Sequence, residues 1–109
     1  TLQDLLQCCF RLRPDRVIVG EIRGPEVLAF LAAASSGHDG SMTCVHASSP
    51  DAAVTRLVQL YQLNPGMSMT AQGIRQHILS VVDIIIQLNR TPSGRFIESI
   101  TAADSLAYD

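Results

Sequence analysis

The segment from Arg16 to Ala47 constrains the fold more than any other part of the chain. RVIVGEI (16–22) is a short β-branched run with no polar alternation before Glu21, the pattern of a buried strand in a parallel sheet. Gly24-Pro25 breaks the run. Proline suits the first turn of a helix, and PEVLAFLAAASS reads as a helix from 25 to about 36. Gly37 and Gly40 form the next break, and SMTCVHA (41–47) reads as a second strand. Strand, crossover helix and strand make a βαβ unit, which is almost always right-handed and parallel. The expected fold class is therefore α/β.

The flanking sequence extends this unit without repeating it. LQDLLQCCFRL (2–12) has Leu2, Leu5, Leu6, Cys9 and Phe10 at helical spacing, and Pro14 ends the pattern. Ser49-Pro50-Asp51 is a helix start with Ser49 as cap. That helix runs to about Leu63, where Asn64-Pro65-Gly66 stops it. A further helix spans roughly 70–81. DIIIQLNR (83–90) and RFIESIT (95–101), joined by TPSG, read as a β-hairpin. The 109 residues suit one domain. No apolar run approaches the ~20 residues of a bilayer span, and no leader is visible; the chain opens in mid-pattern at Thr1, as a fragment would.

Composition removes several kinds of chemistry. All eight basic residues are arginine, so no lysine base, Schiff base or complete P-loop lies within these residues. Net charge is −2, which speaks against a nucleic-acid-binding surface. Cys8, Cys9 and Cys44 are odd in number with two adjacent, which suits a reducing compartment better than a disulfide framework. Arg11, Arg13, Arg16 and Arg23 fall within thirteen residues and form either a solvated basic face or a phosphate clamp.

Ligands of open parallel sheets sit beyond the carboxyl ends of the strands. Glu21 ends the first strand and His46 the second, so both belong to that edge. Glu21 can act on a metal-bound or attacking water, or simply pair with Arg23. His46 precedes a helix start whose N–H groups favour an anion; alternatively it is a polar strand end satisfied by backbone. His38 precedes the second strand and falls at the opposite edge, on the order of 20 Å away at ~3.3 Å per residue. The two histidines therefore share no metal. Cys44-x-His46 is too tight for the usual zinc spacing, so no zinc is expected. Cys44 reads as a small buried hydrophobe and His77 as an ordinary surface or packing histidine.

RPDRVIVGEIRG (13–24) resembles the Walker B region of the type II/IV secretion ATPases. GHDGSMTCVHASSP (37–50) is similar to their histidine box, a glycine-histidine followed eight residues later by a second histidine. LLQCCFRLRPD, LVQLYQL and IRQHILSVVDIIIQLNRTPSGRFIESI match the family's tail, and RxRPDR with the GHDGS loop is similar to pilus assembly ATPases of the tight adherence type. The resemblance implies a partial RecA-like P-loop NTPase core: Walker B strand, histidine-box strand, flanking helices and C-terminal hairpin. Residues 1–109 would be its C-terminal portion, with the phosphate-binding loop and acidic box upstream.

It further implies a homo-oligomeric ring, usually a hexamer, that uses ATP and Mg2+ to power pilus assembly or secretion. Such a motor sits at the cytoplasmic face of the inner membrane and works on platform proteins there. Glu21 carries over as the acid acting on magnesium through water and on the attacking water. His46 joins it as a catalytic candidate. Gly20, Arg13, Arg23 and His38 are candidates for nucleotide or subunit contact. Cys44 stands where the family usually has threonine, and Ser48 where it often has asparagine. The alternative is a non-catalytic interaction module on the same fold.

The absence of lysine makes one expectation direct. Purified as 109 residues, the chain shows no ATP turnover in a phosphate-release assay; measurable hydrolysis overturns the assignment of the P-loop to sequence outside it.

Overall fold

Residues 16–22 and 41–47 lie side by side and parallel in the computed structural model, which describes residues 1–107. One bridge joins Ile18 to Met42. Around it Met42 N–H donates to the Val17 carbonyl at 3.1 Å, Val19 N–H to Met42 at 3.0 Å and Ile22 N–H to Cys44 at 2.9 Å. The pairing is a thin ladder rather than two full strands. Among the described residues neither segment has a hydrogen-bonded strand on its other edge. Ser41 Oγ adds one further tie, accepting the Val17 N–H at 3.1 Å.

Four helices and a hairpin surround this pair: α1 (Leu2–Phe10), α2 (Val27–Ser35), α3 (Pro50–Tyr61), α4 (Ala71–Val81), β1 (Ile84–Thr91) and β2 (Gly94–Ala102), followed by a 3₁₀ turn at Ala103–Leu106. Three of the four helix starts carry a side-chain cap. Thr1 and Asp4 make a reciprocal capping box on α1, Ser49 Oγ accepts the Ala52 N–H on α3, and Thr70 Oγ1 accepts the Gly73 N–H on α4. α2 has no such cap but carries no charge and buries Val27, Phe30, Leu31 and Ala33, so packing holds it.

Leu31, Leu60, Ile74 and Ile78 are the largest fully buried side chains and join Leu6, Val17, Val19, Ile22 and Val54 in one core. Each such side chain contributes about 1.5–3 kcal/mol by leaving water. β1 and β2 pair antiparallel from Ile84↔Ala102 to Thr91↔Gly94, with an irregularity between Gln87 and Leu88. Gly94 sits at φ 141°, which the two-residue loop Pro92-Ser93 requires. The hairpin meets the second parallel segment through a side chain, Gln87 Nε2 donating to the Ala47 carbonyl at 3.1 Å.

Two expectations need correction. The run 16–22 is not buried on both faces: Val17 and Val19 are core residues, whereas Ile18 is 66% exposed. Nor is Cys44 a buried hydrophobe; it is exposed together with Met42 and His46 on the same side. The physical reason is one-sided coverage. The helices pack against Val17, Val19 and the inward side of 41–47, and no described element covers the other side. The hairpin continues this uncovered side with Ile84, Ile86, Leu88, Ile97 and Ile100, all more than half exposed.

An apolar face of that extent beside unpaired strand edges drives association. Static light scattering of the 109-residue chain is expected to report species larger than a monomer, and a clean monomer counts against this account.

Candidate functional site

Parallel pairing carries Glu21 and His46 to one end of the two segments, as their sequence positions suggest. His46 Nε2 lies 2.8 Å from Glu21 Oε1. The other carboxylate oxygen, Oε2, accepts from Arg23 Nη2 at 2.7 Å and Arg23 Nε at 2.8 Å. Glu21 therefore does pair with Arg23, and it meets His46 as well. The Glu21 side chain is 23% exposed, while those of Arg23 and His46 are 80% and 92% exposed. The carboxylate is a semi-sheltered hub with two solvent-facing partners. The Arg23 hydrogen bond is the largest influence holding Glu21 below the usual carboxylate range, and the neighbouring His46 acts in the same sense. Arg23 is correspondingly raised by Glu21.

Beside His46 the start of α3 borders an open groove of about 530 Å³. Ser48 and Asp51 line its mouth, and Thr55, Arg56 and Gln59 continue it along α3. These three residues escaped the sequence reading. Their signal is the polar spacing 55, 56 and 59 on the face of α3 opposite its buried side. Glu21 is not in the groove wall.

The helix start offers an anion less than its sequence suggests. Pro50 has no N–H, Ala52 N–H is capped by the Ser49 hydroxyl at 3.1 Å, and Ala53 N–H bonds the Ser49 carbonyl at 2.9 Å. Asp51 adds a negative charge there, partly countered by Arg75 Nη2 at 3.0 Å.

The remaining candidates lie elsewhere or stand open. His38 Nδ1 is 2.9 Å from the Ala33 carbonyl, so its N–H caps the end of α2, and its ring sits 5.8 Å from that of Phe10. It shares no partner with His46 among the described residues. Arg13 takes a left-handed backbone at φ 51° just before Pro14 and forms no ion pair among the described residues. Gly20 faces open space, with nothing within 4 Å of where a Cβ would stand. His77 is a packing histidine, its Nδ1 3.0 Å from the Tyr61 hydroxyl and its ring edge-on to Tyr61. Among the described residues no three His, Cys, Asp or Glu side chains gather in a way that would hold a metal.

Comparison with known proteins bears on this arrangement. The family described as "Type II/IV secretion system protein" matches residues 1–102. The chain is 35% identical over 97 residues to "Conjugal transfer protein TrbB" of Rhizobium radiobacter, covering 88% of this chain and 28% of that protein. It is 33% identical over 104 residues to "Type IV secretion system protein VirB11" of Brucella suis, covering 92% and 29%. The crystal structure of the VirB11 ATPase from the Brucella suis type IV secretion system in complex with sulphate superposes with a TM-score of 0.89 at 31% identity, over 98% of this chain and 33% of that one. The chain spans about 30% of the length of the curated relatives it matches.

The geometry makes a pH prediction with a definite sign. Glu21 is depressed in the folded state, so its ion pair stabilises the fold at neutral pH and is lost as pH falls through the depressed value. Arg23→Ala is expected to move the Glu21 titration midpoint upward, read from its carboxyl carbon by NMR. An unchanged midpoint removes Arg23 as the cause.

Proposed function

Because the chain belongs to the type II/IV secretion system protein family, we propose that it forms part of a ring-shaped motor, a hexamer, that hydrolyses ATP to power pilus assembly or secretion. The observation that carries this reading is the Glu21 carboxylate, held at the end of an apolar strand by Arg23 and by His46 of the adjacent parallel segment. A carboxylate so held is aimed, and aim is what phosphoryl transfer asks of a protein.

In this reading Glu21 orients the attacking water and accepts its proton. Its occupied oxygens require one partner to yield when that water arrives; His46, 92% exposed, is the freer of the two. Mg2+ fits the donor set as an outer-shell neighbour, since it keeps several waters and takes only one or two carboxylates beside phosphate oxygens. Glu21 would hold it through water, and the ion would neutralise charge on the phosphates. Arg13, Arg23, Gly20 and His38 are the candidates for contact with nucleotide or a neighbouring subunit. Arg13 and Gly20 are exposed, and His38 is half-buried against Phe10. The motor would work on platform proteins at the inner face of the cell membrane; no helix among the described residues is long and apolar enough to cross it.

The second reading, a non-catalytic interaction module, draws on the lack of lysine and on the open apolar face. A glycine-rich GKT or GKS loop in the flanking sequence decides for the motor.

Glu21→Gln in the full-length protein provides the test. ATP binding should persist while turnover falls by about 10²-fold or more, the range of a lost general base. Turnover close to that of the unmodified protein removes Glu21 from the catalytic role.

A further inference from the structure

The turn that follows Glu21 is held by a side chain to which the mechanism above gives no part. Glu26 Oε1 accepts the backbone N–H of Arg23 at 2.9 Å and that of Gly24 at 3.1 Å. Glu26 stands at the start of α2, yet its carboxylate caps no N–H of that helix. It reaches back over the turn instead. The approach is close: a Cβ on Gly24 would stand 2.9 Å from Glu26 Oε2, inside normal contact. Glycine at 24 leaves room for the carboxylate.

The same turn is tied from its far side. Asn64 Nδ2 donates to the Pro25 carbonyl at 3.1 Å and to the Tyr61 carbonyl at 3.0 Å, which fastens the turn to the end of α3. The start of α3 follows His46 by only a few residues. One helix thus braces both flanks of Glu21. Such bracing matters because the terminal torsion of a glutamate is broad, so no rotamer preference aims its oxygens. The aim of Glu21 comes from the Arg23 fork on Oε2, and the direction of that fork comes from the Arg23 backbone.

We propose that Glu26 is a positioning residue for the reaction at Glu21: by fixing the Arg23–Gly24 backbone it keeps the Arg23 guanidinium on Oε2 and leaves Oε1 directed at its reacting partner. The proposal rests on the reading that Glu21 acts on the attacking water. Glu26 itself touches no reacting atom. Its two backbone bonds are charge-assisted, the stronger class of hydrogen bond, and glutamine at 26 keeps an oxygen able to accept both.

The test is steady-state ATP hydrolysis by the full-length protein. Glu26→Ala should lower kcat by about tenfold or more, up to the ~10²-fold cost of a catalytic group misplaced by about 1 Å, with KM for ATP and ring assembly unchanged. Glu26→Gln should restore most of kcat. Gly24→Ala, which displaces the carboxylate without removing it, should lower kcat independently. Both changes act through one contact, so the double variant should be no worse than Glu26→Ala alone. Wild-type kcat in Glu26→Ala, or a Glu26→Gln as poor as the alanine variant, overturns the proposal. Glu21→Gln run alongside separates the two levels. If it turns over normally, the catalytic reading falls and this one with it; if it is inactive while Glu26→Ala is not, only the positioning role falls.

Discussion

The parallel contact between residues 16–22 and 41–47 is the constraint on which the rest of the structure depends. It consists of one bridge at Ile18 and Met42 and a few backbone hydrogen bonds. It sets the register of the two segments, and the register brings Glu21 to within 2.8 Å of His46. A parallel pair cannot close through a tight turn, so α2 must cross over between them. That crossover begins with Gly24, Pro25 and Glu26, within five residues of Glu21, where they shape the loop carrying Arg23. Fold and site are here one arrangement seen at two scales.

The molecule is built on one side of that contact. α2, α3 and α4 gather the buried side chains, from Val17 and Val19 to Ile74 and Ile78. The other side presents Ile18, Met42 and the outward rungs of the hairpin to solvent. A half-covered sheet keeps a specific core yet retains apolar area for a second layer or a second copy. The same asymmetry shapes the site. Glu21 lies partly sheltered, whereas His46 and Arg23 reach past the cover into solvent. The centre of the hub is therefore sheltered while its two partners meet solvent.

Much of the local structure was legible in the sequence because its causes are local. Ser49 caps the helix that its position announces, the helices near 2 and 70 start where their spacing puts them, and TPSG closes the hairpin where expected. The juxtaposition of Glu21 and His46 was also legible, since strand ends in a βαβ unit fall on one edge whatever the packing. The exposure of Ile18 and Cys44 was not. Apolar character says that a face can be buried, and only the placement of the helices says which face is.

The chain's own sequence thus determined which residues form helices and turns, that the two central segments run parallel, and which side chains end them. Those outcomes follow from caps, breaks and periodicity within a few residues. Tertiary structure alone decided that Glu21 is shared between Arg23 and His46 and that Glu26 turns back to hold the loop. Each of these hangs on the direction of a side chain. Direction is set by distances between groups that the folded backbone brings together, and spacing along the chain leaves it undetermined.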